Sequence, residues 1–231
     1  MTVAEIIKKL ESLGSPENVA GMKRYAIVAP SVFGISTPVL KQLARDIKKQ
    51  APDRHSLAQQ LWDTENYEAR AIAFLIDDPR QVSLEQMENW AADFDNWATV
   101  DGACSYLFCR TPHAYAKAFE WADRDEEFVK RAAFSLMAYL AVHDKKADDE
   151  KLAAFLPVIE SHSDDERNFV KKAVNWALRQ IGKRSLYLNK RAVETGERIK
   201  AQDSKPARWI ASDALRELRS EKVLGRLRSK G

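Results

Sequence analysis

A tryptophan and an aspartate one helical turn apart are the first candidates for chemistry in this sequence. Trp97 and Asp101 stand in FDNWATVD (94–101), where the pattern predicts the start of a helix. Residues four apart share one face of a helix, so the indole and the carboxylate would project together. The more ordinary interpretation is structural: Trp97 fills a gap, and the helix dipole favours an acid near the N-terminus. The pair alone does not decide between a site and a packing motif.

A second tryptophan, Trp176, lies at a position where the two copies of a repeated segment differ. FVKRAAFSL (128–136) and FVKKAVNWA (169–177) are written 41 residues apart, and Trp176 stands where the first copy has a serine. By contrast, Trp62 and Trp90 lie on apolar helical stripes and are predicted to be core residues. Trp176 is therefore a second candidate site residue.

Other chemistries lack the residues that they need. The histidines and cysteines have no zinc-ligand spacing. The sequence also lacks a phosphate-binding Walker loop, a dinucleotide-binding glycine motif and a nucleophile elbow. We therefore expect no metal and no cofactor. The residues concerned are His55, His113, His143, His162, Cys104 and Cys109.

The composition predicts a helical protein with a sizeable core. Of 231 residues, 45% are hydrophobic and 31% charged, and only eight glycines and eight prolines are present, which argues against a β-sandwich or barrel. The two cysteines form no disulfide framework, which favours a reducing compartment. No signal peptide or membrane-length apolar run is recognisable. The expected location is the cytoplasm.

Positive charge is concentrated near the C-terminus. Residues 183–231 hold 14 Lys and Arg against 6 Asp and Glu, a net charge of +8, whereas residues 1–182 carry a net charge of −5. A basic quarter of this kind is compatible with a polyanionic partner. A solvated helical tail is the alternative interpretation.

Helical periodicity dominates the chain and predicts about eleven or twelve helices, with no strand. Residues 3–13 show one apolar stripe, and a second helix is predicted over 16–29. Start signals predict an N-cap at Ser36 and capping boxes at Ser83 and Ser163. We predict one domain over 1–231, with a flexible tail after about residue 220 as an open alternative.

The repeated helix predicts a stacked architecture. Related patterns with a basic residue in one slot recur at irregular spacings, as in degenerate HEAT or armadillo repeats. Because a single repeat cannot bury its apolar face alone, we predict an all-α solenoid. Equivalent slots would line one concave face and could follow a phosphate backbone. The alternative is that these cations are solvated helix residues with partners one turn away. The slot holds Arg24, Arg70, Arg131, Lys172 and Arg208.

Four segments together resemble the AlkD-type DNA alkylation repair glycosylases, which are built from HEAT-like repeats. They are MKRYAIVAPSVFGISTP (22–38), NWATVDGAC (96–104), FVKRAAFSL (128–136) and KKAVNWALRQIGK (171–183). The likeness extends from about residue 5 to 220. Two positions depart from the pattern. Some members have tryptophan where this sequence has Asn96, and an acidic residue where it has Ala98.

The resemblance implies roles for individual residues. Asp101 matches the catalytic carboxylate, and Trp97 and Trp176 match the aromatic pair that flanks the sugar of the damaged nucleotide. Arg131 matches an arginine that supports the site at the DNA backbone, and Tyr25 matches a tyrosine near the lesion. The remaining residues expected to bind DNA are Arg24, Arg70, Lys172, Arg179 and Arg208.

The function implied by the resemblance is excision of cationic alkylpurines, such as 7-methylguanine and 3-methyladenine, from duplex DNA without deep base flipping. A monomer is expected, since the DNA-binding groove must stay free, with no membrane and no obligate protein partner. A non-catalytic HEAT-repeat protein that binds damaged or branched DNA is the first alternative. A protein-binding scaffold is the second, and the basic residues disfavour it.

Overall fold

The protein was analysed as a computed structural model, and the structure describes residues 1–229. In this range the regular structure is helical, apart from one isolated parallel β-bridge between Ser31 and Asn66. The all-α class predicted from the sequence is therefore confirmed. Contacts divide the chain into two compact units, Met1–His113 and a second that begins at Ala114. The single domain predicted from the sequence stays a prediction.

The first unit is built around one central helix, α5, which packs against α1, α3, α4 and α7. A short 3-10 turn, Phe108–Arg110, follows α7. The helices of this unit are α1 (Val3–Ser12), α2 (Pro16–Arg24), α3 (Thr37–Gln50), α4 (Arg54–Trp62), α5 (Tyr67–Ile76), α6 (Leu84–Ala92) and α7 (Trp97–Tyr106).

The second unit contains the two copies of the repeated helix, α9 and α12, and a 3-10 turn at Trp121–Asp123. Helix α12 packs on α9, on α13 and on α14. The helices are α8 (Ala114–Glu120), α9 (Glu127–His143), α10 (Asp149–Ala153), α11 (Leu156–Ser161), α12 (Asn168–Gly182), α13 (Leu186–Lys200), α14 (Lys205–Leu218) and α15 (Glu221–Arg228).

Two helices are buried on nearly all sides. Every residue of α5 from 68 to 74 is buried, and so is every residue of α9 from 131 to 138. A helix surrounded by others needs apolar or small residues around its whole circumference, and YEARAIAFLI and RAAFSLMA supply them. The charged residues inside these stretches must therefore find partners within the protein.

The repeated helices stack on one another, as the sequence predicted. The rings of Phe128 in α9 and Phe169 in α12, which are equivalent in the two copies, lie 5.4 Å apart. From α12 the contacts continue to α14, where Nδ2 of Asn175 donates to Oδ2 of Asp213 at 2.8 Å. Each repeat thus covers the face of the next.

The predicted core tryptophans are confirmed. Trp62 and Trp90 are almost completely buried, and their rings stack with centroids 4.0 Å apart and planes 4° apart. The indole N–H of Trp62 donates to Oδ2 of Asp93 at 2.8 Å, so the polar edge of the ring is satisfied.

Several predicted helix boundaries change in the structure. Ser83 caps α6 by accepting from the amide of Gln86 at 3.0 Å, as predicted, but the side chain of Gln86 donates to Asp77 instead of completing a capping box. The cap predicted at Ser163 is wrong. Its buried hydroxyl donates to the carbonyl of Glu160 at 2.8 Å, and α12 begins later.

Helix α2 ends at Arg24, earlier than predicted, because Ala26 adopts a positive φ of 56° that breaks the helical path. At the other end of the chain, α15 occupies part of the segment after residue 220 and buries Val223 and Leu227. Residues 230 and 231, the last of the predicted tail, lie outside the described residues.

Candidate functional site

An asparagine cap sets the position of Trp97 and Asp101. Oδ1 of Asn96 accepts from the amides of Ala98 at 3.0 Å and of Thr99 at 2.9 Å, which satisfies donors left open at the start of α7. Trp97 is then the first residue of α7, and Asp101 follows one turn later. Both side chains are half-buried. Asn96, which departs from the pattern described above, thus serves as the N-cap of α7.

The indole of Trp97 is fixed by a backbone carbonyl from a distant segment. Its Nε1–H donates to the carbonyl of Tyr25 at 2.8 Å. Tyr25 terminates α2, and its side chain is 71% exposed. Two predicted site residues that are 72 positions apart are therefore brought together within the first unit.

A buried carboxylate anchors the segment that carries Tyr25. Glu68 of α5 is fully buried, and its two oxygens accept from the amides of Phe33 at 2.9 Å, Gly34 at 2.7 Å and Ile35 at 3.2 Å. Charge-assisted bonds to three amides hold the end of the loop over residues 25–36 against α5. Sequence reasoning missed Glu68. An acid inside the apolar run YEARAIAF was the available signal, because a buried charge needs partners.

A glycine beside Asp101 allows α7 to approach α5 closely. A Cβ atom at Gly102 would lie 2.3 Å from Cζ of Phe74 on α5, well inside van der Waals contact. The Phe74 ring also stacks on Tyr106, with centroids 6.1 Å apart. The backbone at Asp101 is therefore seated against a packed aromatic surface.

Arg70 occupies the predicted basic slot but is buried, at 8% exposure. Its Nε donates to the carbonyl of Trp62 at 3.3 Å and its Nη1 to the carbonyl of Asp93 at 3.2 Å. The guanidinium also lies 3.3 Å from the Asp93 carboxylate and 4.9 Å above the Trp62 ring. These contacts tie α5 to the ends of α4 and α6.

Arg131 occupies the same slot in the second unit and is also buried, at 7% exposure. Its Nη1 donates to the carbonyl of Phe169 at 2.8 Å. This carbonyl lies in the first turn of α12, so the arginine links the starts of the two repeated helices.

Trp176 is held by an aromatic contact from the neighbouring repeat. The ring of Tyr139 in α9 meets it edge to face, with centroids 4.8 Å apart and planes at 88°. Trp176 remains half-buried, so part of the residue is accessible to solvent. Tyr139 was missed in the sequence, because only stacking of α9 on α12 brings the two rings together.

The remaining basic candidates differ in exposure and in partners. Arg24 and Lys172 are exposed. Arg208 is exposed and pairs with the fully exposed Asp203 at 3.2 Å. Arg179 is half-buried and pairs with Glu217 at 2.8 Å.

The predicted residues therefore fall into two groups. Trp97, Asp101 and Tyr25 belong to the first unit, and Arg131 and Trp176 to the second. Over residues 1–229, no group of three or more His, Cys, Asp or Glu side chains could hold a metal ion. Within the same range, no helix is long and apolar enough to cross a membrane.

A similar structure supports the fold. Its protein is described as a new family of proteins related to the HEAT-like repeat DNA glycosylases with affinity for branched DNA structures. The two share 21% identity and a TM-score of 0.76, over 94% of this chain and 95% of that one. At this identity the likeness shows the fold, which is an all-α arrangement of HEAT-like repeats.

A comparison with curated proteins found no match. A family model described as DNA alkylation repair enzyme matches residues 6–218, nearly the whole chain. This span includes Trp97, Asp101, Arg131 and Trp176, and it bears out the resemblance seen in the sequence. The chain belongs to the DNA alkylation repair enzyme family.

Proposed function

We propose that the protein is a DNA glycosylase that excises positively charged alkylpurines, such as 7-methylguanine and 3-methyladenine, from duplex DNA. The observation that carries the proposal is the arrangement at the start of α7. The carbonyl of Tyr25 fixes the indole of Trp97. The half-buried carboxylate of Asp101 lies one helical turn further along α7. Family membership supports a role in the repair of alkylated DNA.

The proposed reaction needs little machinery, because a cationic base is already a good leaving group. Breaking the bond between C1′ of the deoxyribose and the base nitrogen leaves positive charge on the sugar, and the bond electrons neutralise the base. The carboxylate of Asp101 stabilises this charge electrostatically and orients a water molecule. The water oxygen then bonds to C1′, and its proton passes to solvent. No cofactor is required.

The tryptophans act on the sugar in this proposal. The negative faces of Trp97 and Trp176 attract the charge that develops on the deoxyribose. Arg131 then acts as a positioning residue that links α9 to α12, next to the DNA backbone. Because the duplex would be held through its phosphates, the base need not enter a deep pocket.

The basic residues divide by exposure into two roles. Arg24, Lys172 and Arg208 are exposed, so their charges are available to phosphates. Arg179 would contribute from beside them, although its pair with Glu217 reduces its net charge. Arg70 is the exception, because its guanidinium is engaged with two carbonyls and a carboxylate. We assign Arg70 a supporting role behind the DNA-binding surface.

The proposal also includes a cytoplasmic location and a monomeric state for the protein.

Release of 7-methylguanine from methylated duplex DNA, measured beside an Asp101→Asn variant, tests the proposal. The variant should bind DNA normally and lose most of its excision activity, by about 100-fold or more if electrostatic stabilisation dominates. Asp63→Asn is a matched control, since this exposed aspartate lies in the same unit at the end of α4. Equal excision by wild type and Asp101→Asn would overturn the assignment.

A second function is favoured by one specific observation. The protein of similar structure belongs to a family described as having affinity for branched DNA structures. If wild type binds DNA but releases no methylated base, the alternative is a non-catalytic protein that binds damaged or branched DNA. Trp97 and Trp176 would then contact the distorted part of the duplex.

A further inference from the structure

A cleft in the second unit gathers positive charge that the proposed active site does not use. It has a volume of about 190 Å³ and lies at the C-terminal ends of α9 and α12, beside α15. Its polar and charged lining consists of Lys145, Gln180, Lys183, Arg184 and Arg226. We call this feature the basic cleft. Four lining residues are cationic and none is acidic.

Arg184 is held in the basic cleft without being neutralised. Its Nη2 donates to the carbonyls of Asp144 at 2.8 Å and Ala147 at 3.4 Å, and its Nη1 to the carbonyl of Ala141 at 3.3 Å. These bonds satisfy open carbonyls at the end of α9. Carbonyl oxygens bring no formal charge, so the guanidinium keeps its charge in a fixed position.

Lys183 shares its acidic neighbour with another cation. Its Nζ lies 2.9 Å from Oε1 of Glu217, whose other oxygen accepts from Arg179 at 2.8 Å. Although burial favours the neutral acid, the hydrogen bond and charge of Lys183 and the charge of Arg179 hold the pKa of Glu217 below its usual value. Arg179 also lies 3.6 Å from Asp213, which in turn pairs with Arg216. Two carboxylates therefore face three cations, and the balance at this end of α12 remains positive.

Lys145 and Arg226 provide the exposed part of the lining. Both are exposed, and neither has a carboxylate within ion-pair distance among residues 1–229. Nη2 of Arg226 lies 3.5 Å from the carbonyl of Lys183, which places it beside the fixed cations. Attraction of cations to helix C-termini explains the place of Arg184, but not the convergence of four cations from three segments.

The basic cleft lies on the same helical faces as the proposed DNA contacts. Val142, which lines the cleft, follows Arg131 by eleven positions on α9, and Lys183, the C-cap of α12, follows Lys172 by the same interval. Eleven residues make about three turns, so each pair shares a face and is separated by roughly 16 Å along the axis. This separation is comparable to the distance across the major groove, which is about 12 Å wide.

We propose that the basic cleft binds a phosphate group, supplied by the backbone of duplex DNA on the strand across the groove from the one near Arg131. The DNA source rests on the proposed function, whereas the phosphate chemistry rests on the cleft alone. Fixed Arg184 and Lys183 provide a preorganised cationic floor, and Lys145 and Arg226 close around the ligand. Phosphate binding would account for part of the +8 charge of residues 183–231, since three of the four cations of the basic cleft come from this segment.

The test uses two double variants of equal charge. Lys145→Gln with Arg226→Gln removes the two exposed cations of the basic cleft. Lys146→Gln with Lys222→Gln removes two exposed cations from the same loop and the same helix, outside the lining. Affinity for an undamaged duplex is measured for both variants and wild type over a range of salt concentrations.

Loss of one phosphate contact should flatten the dependence of log affinity on log salt by about 0.9. We expect this change in the cleft variant and no change in the control variant. Titration with inorganic phosphate, followed by NMR of the Gln180 side-chain amide, should shift that signal in wild type and not in the cleft variant. Equal salt dependence in both variants, with no phosphate-induced shift, would overturn the proposal.

The two parts of the experiment separate the cleft from the proposed function. If wild type binds no duplex DNA, the proposed function fails, and the phosphate titration alone decides whether the basic cleft takes a free phosphate. If DNA binds with unchanged salt dependence while phosphate still shifts Gln180, the DNA source is wrong and the phosphate site stands. No shift in wild type rejects the site in either case.

Discussion

The two candidate tryptophans, one in each unit, are held by different means. In the first unit, Trp97 is fixed by a hydrogen bond to the carbonyl of Tyr25, in a loop that Glu68 anchors. In the second unit, Trp176 is held by an edge-to-face contact with Tyr139 on the neighbouring repeat. The first arrangement depends on polar contacts with an irregular segment, and the second on repeat stacking. Changes to buried polar groups should therefore disturb Trp97 far more than Trp176.

The two buried arginines show the same division. Arg70 and Arg131 occupy one slot of the repeated helix, and both donate to backbone carbonyls. Arg70 also lies against the Asp93 carboxylate and the Trp62 ring, so it closes a cluster inside the first unit. Arg131 instead bridges from α9 to the start of α12. One sequence pattern thus yields two structural roles.

The largest expected effect comes from Glu68→Ala. Three buried or half-buried amides at residues 33, 34 and 35 lose their acceptor. Since each unsatisfied buried donor costs about 1–3 kcal/mol, we expect a loss of roughly 3 kcal/mol or more in the free energy of unfolding. Hydrogen exchange over residues 25–36 should rise more than exchange in α9 and α12. Unchanged protection of the Gly34 amide would contradict the anchoring role.

Gly102→Ala should have the next largest effect. The added methyl would meet the Phe74 ring at 2.3 Å, and overpacking of a core typically costs about 1–3 kcal/mol. We expect lower stability in urea unfolding, together with slower excision because the backbone beside Asp101 is displaced.

Gly225→Ala is the matched control for this change. Nothing lies within 4 Å of a Cβ at this position in α15, so alanine should stabilise the helix by up to about 1 kcal/mol. If both glycine variants raised the stability equally, the close approach of α7 to α5 would be wrong.

Trp97→Phe and Trp176→Phe compare the two tryptophans directly. Loss of the indole N–H bond to Tyr25 should cost about 0.5–1.5 kcal/mol and increase hydrogen exchange near residue 25. Phenylalanine at position 176 can keep the edge-to-face contact with Tyr139, so exchange in the 25–36 loop should not change. Equal effects of the two variants on that loop would remove the distinction.

The smallest effect on stability is expected for Arg208→Gln. The pair between Arg208 and the exposed Asp203 is solvated, so the unfolding midpoint should not move measurably. The slope of log DNA affinity against log salt concentration should nevertheless become shallower, by the amount expected for the loss of about one phosphate contact. Arg70→Gln should do the reverse, with lower stability and an unchanged salt dependence. A fall in salt dependence for Arg70→Gln would show that this residue contacts phosphate.

Local patterns in the sequence were sufficient for the elements of the fold. The copies FVKRAAFSL and FVKKAVNWA predicted helices that stack, and their phenylalanines do meet in the structure. The core positions of Trp62 and Trp90 also followed from periodicity. The boundary at Ser163 failed, because its hydroxyl bonds to Glu160 and Gln202 rather than to the helix that follows. Caps are local signals that a tertiary contact can override.

The helical class, the repeats and the placement of Trp97 and Asp101 on one helical face were predictable from the sequence, because these depend on spacing within a few residues. The tertiary structure decided which polar groups hold the candidate site. Glu68 reaches amides 33–35 positions away, and Trp97 reaches a carbonyl 72 positions away. It also separated the buried cations Arg70 and Arg131 from the exposed Arg24, Lys172 and Arg208 in the same slot. Burial depends on which helices surround a residue, and spacing along one chain does not specify that environment.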